Sequence, residues 1–154
     1  MRISMLFVGV AIGAAGCGGS DSSITGTNTG GPMTASIDGQ AWVSAAPGAT
    51  YKNNILAIVG IDLGSGTTIE VGSASVSHAG TYSLAFSNLN AGVAIISQGG
   101  KSWSSTVQGG TGSLVVTTIT ANHVTATFSF DAPALTGGAT GTKHLTTGKI
   151  DVIF

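Results

Sequence analysis

The chain has 154 residues, only 7% of which are charged, and its formal net charge is −1. Soluble domains usually carry charge at about 25% of positions, so Ser, Thr, Gly and Asn must cover most of this surface. Five basic residues against six acidic ones argue against a nucleic-acid-binding surface. The single cysteine excludes an intramolecular disulfide.

The first element predicted in chain order is an export signal. Met1-Arg2 supplies positive charge, residues 3–15 are almost all apolar or small, and Cys17 comes directly after Ala14-Ala15-Gly16. This is the anatomy of a secretory signal peptide, and the apolar part is shorter than the roughly 18 residues of a membrane-spanning helix. The segment resembles the lipobox of bacterial lipoproteins, which implies a signal peptide at 1–16 and acylation of Cys17. An ordinary secretory signal is the alternative.

Residues 17–32 form the predicted tether between the lipidated Cys17 and the folded domain. Gly, Ser, Thr and Asn dominate it, and such a segment is a flexible coil with a typical span of about 20 Å. Two or more acyl chains would hold the protein stably at a membrane. In lipoproteins an Asp after the cysteine usually causes retention at the inner membrane. Gly18 follows here, so the resemblance implies the outer membrane.

From Met33 to the end of the chain, the dominant period of apolar residues is two, as in β-strands. Asp38-Gly39 predicts a two-residue hairpin turn that pairs Ile37 with Gln40 and Ala35 with Trp42. Residues 55–63 are continuously apolar, which predicts a central strand covered on both faces. Further strand candidates are 67–71 after the turn at Gly64-Ser65-Gly66, 81–86 after the turn at His78-Ala79-Gly80 with Tyr82, Leu84 and Phe86 on one face, 93–96, and the region of Trp103.

The C-terminal part contains the clearest strand pair. A turn at Ala121-Asn122 separates residues 113–120 from residues 124–130, which alternate without a fault and place Val124, Ala126, Phe128 and Phe130 on one inward face. Residues 131–147 contain Pro133 and several glycines, and they are predicted to be an unusually long connection. A last strand is predicted over 149–154.

These elements predict a single all-β domain over residues 33–154. About nine short strands joined by tight turns are typical of a mostly antiparallel sandwich or barrel. A sandwich is favoured over a flattened barrel because the apolar strand at 55–63 needs cover on both faces.

Four stretches resemble a family of small bacterial lipoproteins of unknown function. Its members carry a G-x-x-W start, a G-T-Y strand, a G-T-F-S-F strand and a closing N-G-x-F strand. The matching stretches here are Gly39 to Trp42, Gly80-Thr81-Tyr82, Val124 to Phe130 and Thr147-Gly148-Lys149. The resemblance implies an all-β domain after a lipobox signal peptide. It implies no enzymatic activity, because the function of the family is unknown.

The sequence offers little for catalysis, and no catalytic residue, cofactor or metal ligand is predicted. No G-x-S-x-G motif surrounds any serine. His78, His123 and His144 lack local metal-ligand spacing, so solvated turn positions are expected. Asp62 and Glu70 flank one turn and are the candidate carboxylate pair of a glycoside hydrolase. Surface charge at a hairpin edge is the simpler interpretation.

The candidate ligand contacts are aromatic. Trp103 has polar neighbours, and Tyr51 lies in a Pro- and Gly-containing connection. Exposed rings bind neutral glycans by stacking, whereas Trp103 and Trp42 would cap the core if they are buried, as large aromatic residues usually are. The sequence therefore predicts a lipid-anchored, non-enzymatic structural or interaction module of the outer membrane, with another envelope protein or a neutral glycan as partner. A carbohydrate-binding module is the alternative, and a glycoside hydrolase is the third candidate.

Overall fold

A computed structural model describes residues 31–88 and 92–153. The predicted signal peptide at 1–16, Cys17 and most of the tether lie outside these described residues. Within them the chain is almost entirely β, with one short 3-10 turn at Phe86–Asn88. The strands are β1 (Met33–Ile37), β2 (Gln40–Ser44), β3 (Gly48–Lys52), β4 (Ile55–Asp62), β5 (Thr67–Ser73), β6 (Gly80–Ser83), β7 (Gly92–Gln98), β8 (Lys101–Ser104), β9 (Thr111–Ile119), β10 (His123–Thr136) and β11 (Thr142–Ile153).

The strands form two antiparallel layers that share β10. The first layer has the order β2-β1-β11-β10-β9-β6, and the second has the order β3-β4-β5-β7-β8. The end of β10 leaves the first layer and pairs with β8 of the second. The arrangement does not close into a barrel, and the core lies between the layers. The all-β sandwich prediction is therefore confirmed, and the barrel alternative is wrong.

The predicted first hairpin is confirmed in register. Ile37 pairs with Gln40, and Ala35 pairs with Trp42. Asp38 and Gly39 have φ values of 50° and 82°, the left-handed conformation that a type I′ turn requires at both central positions. The turn residues therefore determine the register, and the register places Trp42 on the inner face.

The predicted inward face of β10 is also confirmed. Val124, Ala126, Phe128 and Phe130 are all buried, and Thr127 between them is exposed. The rings of Phe128 and Phe130 stack with centroids 6.3 Å apart.

The prediction of a long connection over 131–147 is wrong. β10 continues to Thr136 and β11 begins at Thr142, so most of this segment is strand. β11 contains a bulge at Thr147, which has a φ of 53° and lies where the pairing of β10 with β11 shifts register. The bulge interrupts the period-two pattern of apolar residues, so the pattern does not reveal the strand. A Cβ on Gly148 would lie 2.5 Å from the Phe128 carbonyl oxygen, so the close approach of β10 requires glycine.

Two further strand predictions differ from the structure. β3 forms where Pro47 and Gly48 predict a connection. The described residues contain eleven strands, whereas the sequence predicts about nine. β6 ends at Ser83, and the 3-10 turn that follows turns Phe86 outward while Leu84 stays buried. The prediction of a strand over 81–86 with Tyr82, Leu84 and Phe86 on one face is therefore wrong at Phe86.

The apolar strand β4 is covered on one face only. Leu56 and Ile58 face the core, whereas Ile55, Val59 and Ile61 face outward and are exposed. The expected cover on both faces is wrong, because in a two-layer fold each layer packs against the other on one face and leaves its second face open. The fold leaves apolar surface open on this strand.

Candidate functional site

Both tryptophan candidates belong to the core. Trp103 is 5% exposed and Trp42 is 3% exposed. The Trp103 indole N–H donates to the Thr140 carbonyl oxygen at 3.1 Å, and that of Trp42 donates to the Thr67 carbonyl oxygen at 3.0 Å. Because a sugar cannot stack on a covered ring, neither side chain offers the platform that the glycan hypothesis requires.

The third candidate, Tyr51, lies on β3 and is half-buried. Its hydroxyl donates to the Val76 carbonyl oxygen at 2.8 Å and lies 3.3 Å from the Asn54 side-chain oxygen. Tyr51 thereby links the β3–β4 turn to the segment after β5. It does not line the cleft described next, in which Trp42 takes part.

An end cleft opens where three turns meet at one end of the sandwich. The turns are those between β1 and β2, between β4 and β5, and between β7 and β8, and the cleft volume is about 320 Å³. Trp42 and Ile96 contribute apolar surface to its lining. The polar groups of the lining are Asp38, Gln40, Asp62, Ser65, Thr67, Gln98 and Lys143.

Asp38 forms the ion pair of the end cleft. Its carboxylate accepts hydrogen bonds from the Lys143 ammonium at 2.6 Å and from the His144 backbone N–H at 2.9 Å. Burial raises the pKa of Asp38, but the His144 and Lys143 hydrogen bonds and charges outweigh it and hold the pKa below the usual value. The Lys143 ammonium also lies 5.4 Å from the centroid of the Trp103 ring, so it connects the turn to the core.

We expect Asp38→Asn to lower the free energy of unfolding by about 0.5–1 kcal/mol at pH 7, because the ion pair with Lys143 is lost at a partly exposed site. Asn keeps an oxygen for the His144 N–H and tolerates the left-handed turn. Since the pKa of Asp38 is lowered in the folded state, its contribution is complete above the unfolded pKa of about 3.9 and disappears as the pH falls below it.

Urea unfolding of both proteins at pH 7 and near pH 2 measures this difference. Glu70→Gln is the control, because Glu70 is exposed and takes part in none of the described ion pairs. A difference between Asp38→Asn and the parent that persisted at the lower pH would show that the effect is not ionic.

The histidines sit at the surface in separate hydrogen bonds. His144 Nδ1 lies 2.7 Å from Asp131, and His123 Nε2 lies 2.8 Å from Asp151. The His144 ring and the Thr111 hydroxyl lower the pKa of Asp131. Within the described ranges, no three His, Cys, Asp or Glu side chains are grouped to hold a metal ion.

The candidate carboxylate pair does not assemble. Glu70 pairs with Val59 across the hairpin, and Asp62 pairs with Thr67, so the two acids point to opposite faces of the layer. The Asp62 carboxylate accepts from the Ser65 hydroxyl at 2.6 Å and the Gly64 N–H at 2.9 Å. These two bonds lower its pKa and make it a turn residue.

Sequence reasoning missed a second concave surface, the seam groove between β2 and β4. The two strands lie side by side without a backbone ladder, and the Ile61 N–H instead donates to the Ser44 hydroxyl at 3.0 Å. The groove has a volume of about 410 Å³, and its apolar lining is Val43, Ala45, Ala46, Val59, Ile61 and Leu63. The signal in the sequence is the uninterrupted apolar run at 55–63, which predicts burial on both faces but is equally compatible with one exposed apolar face.

Neither surface can be assigned by comparison with known proteins. No family model, no curated protein and no solved structure matches this chain. The likeness to small lipoproteins of unknown function therefore remains a prediction from motifs. In the part of the chain that the structure describes, no helix is long and apolar enough to cross a bilayer.

Proposed function

We propose that the protein is a lipid-anchored module of the bacterial outer membrane, with a non-enzymatic structural or interaction role. The observation that carries the proposal is the order of segments: a short apolar run after a basic start, small residues, Cys17, a Gly- and Ser-rich stretch, and then a compact β-sandwich. Acyl chains on Cys17 would hold the sandwich at the membrane surface without a spanning segment.

The arrangement of the domain supports an interaction role. The sandwich presents an end cleft rimmed by carboxylate, amide and ammonium groups and a seam groove lined by aliphatic side chains. Both are concave surfaces on a rigid scaffold of paired strands, which is where ligands and partners usually bind.

Substitution of Cys17 tests the proposed lipid anchor. We expect Cys17→Ser to move the protein from the membrane fraction to the soluble periplasmic fraction or medium, because the thiol that carries the diacylglycerol is absent. Radiolabelled palmitate should label the parent chain and not the variant. Ser20→Ala is the matched control, since it alters the same segment and keeps the thiol.

Membrane retention of the Cys17→Ser protein, together with an unlabelled parent chain, would refute the proposed anchor. Release of the Ser20→Ala control would show instead that any change near the signal disturbs export.

A carbohydrate-binding role is the second candidate, and the end cleft favours it. Gln40 and Gln98 place exposed amides beside the ion pair of Asp38 and Lys143, and planar amide and carboxylate groups hydrogen-bond well to sugar hydroxyls. In this arrangement a neutral glycan would bind by hydrogen bonds in the cleft, and the tryptophan rings would stay in the core.

A further inference from the structure

The two layers of the sandwich present chemically different outer faces. In the first layer, outward positions of β10 carry hydroxyl groups, on Thr127 and Ser129. In the second layer, outward positions of β4 are aliphatic instead, and Ile55, Val59 and Ile61 are 52%, 40% and 36% exposed. Because a sheet face that meets water normally carries polar side chains, the outer face of β4 has the composition of a surface that is covered by a partner.

The strands beside β4 extend this surface. Directly paired residues lie on one side of an antiparallel sheet, and Val59 and Ile95 are the partners of Glu70 on its two sides. The small residues Ala57 and Gly72 pair in the next row. We call this surface the aliphatic face, and its apolar side chains are Ile55, Ala57, Val59, Ile61, Val93 and Ile95. Contiguous exposed apolar surface usually marks an interaction site.

The charges of the aliphatic face are self-complementary. Among the described residues, Lys52 on β3 and Glu70 on β5 are the ionisable side chains at its outward positions, and neither takes part in the described ion pairs. Lys52 pairs with Ile55 at one corner of the face, and Glu70 lies two strands away. A two-fold axis in the plane of contact that exchanges these positions brings each Lys52 opposite Glu70 of the other copy.

We propose that the aliphatic face is the interface of a weak, two-fold symmetric homodimer. In this dimer the aliphatic side chains of the two copies pack against each other, and Lys52 of each copy forms an ion pair with Glu70 of the other. The inference does not depend on lipidation of Cys17, because the interface lies entirely within the described sandwich.

The size of the aliphatic face determines the strength of the contact. Five strands spaced about 4.8 Å apart, with about six residues each, cover roughly 24 Å by 20 Å, or about 500 Å². Two copies would then bury about 1,000 Å² in total, at the lower limit of specific interfaces. We therefore expect a dissociation constant above about 10 µM, so that dilute samples are monomeric.

Other occupants fit the aliphatic face less well. A bilayer would bury the Glu70 carboxylate in hydrocarbon without a partner, which is costly. A strongly acidic or strongly basic protein would meet one cation and one anion, so electrostatic attraction would not guide it. A second copy supplies a partner for both charges and an aliphatic surface of the same size.

Sedimentation equilibrium of the mature full-length chain with Cys17→Ser tests the dimer. This substitution removes any lipid and the one thiol that could form an intermolecular disulfide. Between about 1 and 500 µM, the average mass should rise from that of the monomer towards that of the dimer. Val59→Asp should raise the dissociation constant at least about tenfold, because it places a second carboxylate beside Glu70 within the contact.

Val115→Asp is the matched control and should leave the dissociation constant unchanged. Val115 is also an exposed valine, at 38% against 40% for Val59, but it lies on β9 in the first layer. Amide NMR spectra of the parent chain give a second measurement that needs no variant of the face. Signals of residues 55–61 should shift as the concentration rises, and those of residues 113–117 should not.

Exchange of the two charges tests the symmetry of the contact. Lys52→Glu or Glu70→Lys alone should weaken the dimer, because each places like charges opposite each other in both halves of the contact. The double variant restores opposite charges and should recover most of the parental affinity. A parent chain that stays monomeric up to about 500 µM, or equal effects of the two Asp variants, would overturn the proposed dimer. A double variant as weak as the single ones would overturn the two-fold pairing.

Discussion

Phe128→Ala should lower the free energy of unfolding by about 3–5 kcal/mol, one of the two largest effects expected for a single substitution in this protein. The Phe128 side chain is 3% exposed, stacks on Phe130 and covers Gly148 on the neighbouring strand. Truncation removes these contacts and leaves a cavity, because Gly148 has no side chain to fill the space.

Thr127→Ala is the matched control, since Thr127 is the adjacent residue and points to the opposite, exposed face of β10. Its effect should stay within about 1 kcal/mol. Urea unfolding followed by circular dichroism measures both variants. Equal losses would contradict the inward orientation of Phe128.

Trp103→Ala should be comparably destabilising, by about 3–5 kcal/mol. The substitution removes a buried indole, leaves the Thr140 carbonyl oxygen without its donor, and deprives the Lys143 ammonium of the ring beneath it. Trp103→Phe is the milder comparison, because it keeps an aromatic ring and loses only the N–H and part of the volume. Thermal and urea unfolding should order the three proteins as parent, Phe variant and Ala variant.

The fluorescence of Trp103 distinguishes a role in the core from a role in stacking against a glycan. In a Trp42→Phe background, the emission of Trp103 should be blue-shifted and resistant to iodide, as for a buried indole. Neutral oligosaccharides should leave this emission unchanged, even if they bind in the end cleft. A stable Trp103→Ala protein that had lost binding to a glycan would contradict the core assignment and favour ring stacking.

The first hairpin and the inner face of β10 were predictable because their determinants are local. Asp38-Gly39 adopts the backbone conformation that a two-residue turn demands, and that turn alone determines which residues of β1 and β2 pair. Residues 124–130 alternate strictly, and a strand has only two faces. The segment at 131–147 escaped prediction because its pairing depends on β8 and β11, and because the bulge at Thr147 interrupts the period.

The two concave surfaces depend on residues that are distant in sequence. In the end cleft Asp38 forms an ion pair with Lys143, and in the seam groove Val43 and Leu63 line the same concave surface. Composition and periodicity carry no information about which turns meet at one end of a sandwich. The outer face of β4 is the clearest case, since an uninterrupted apolar run is compatible with cover on two faces or on one.

By itself, the sequence determined the all-β class, the register of the first hairpin and the inward side of β10, because turn chemistry and period-two alternation act between near neighbours. Only the tertiary structure decided that Trp42 and Trp103 are covered, that Asp62 and Glu70 point apart, and that β4 keeps an exposed aliphatic face. The burial or exposure of each of these side chains depends on which face of its strand packs against the other layer. Contacts between segments far apart in the chain determine that packing.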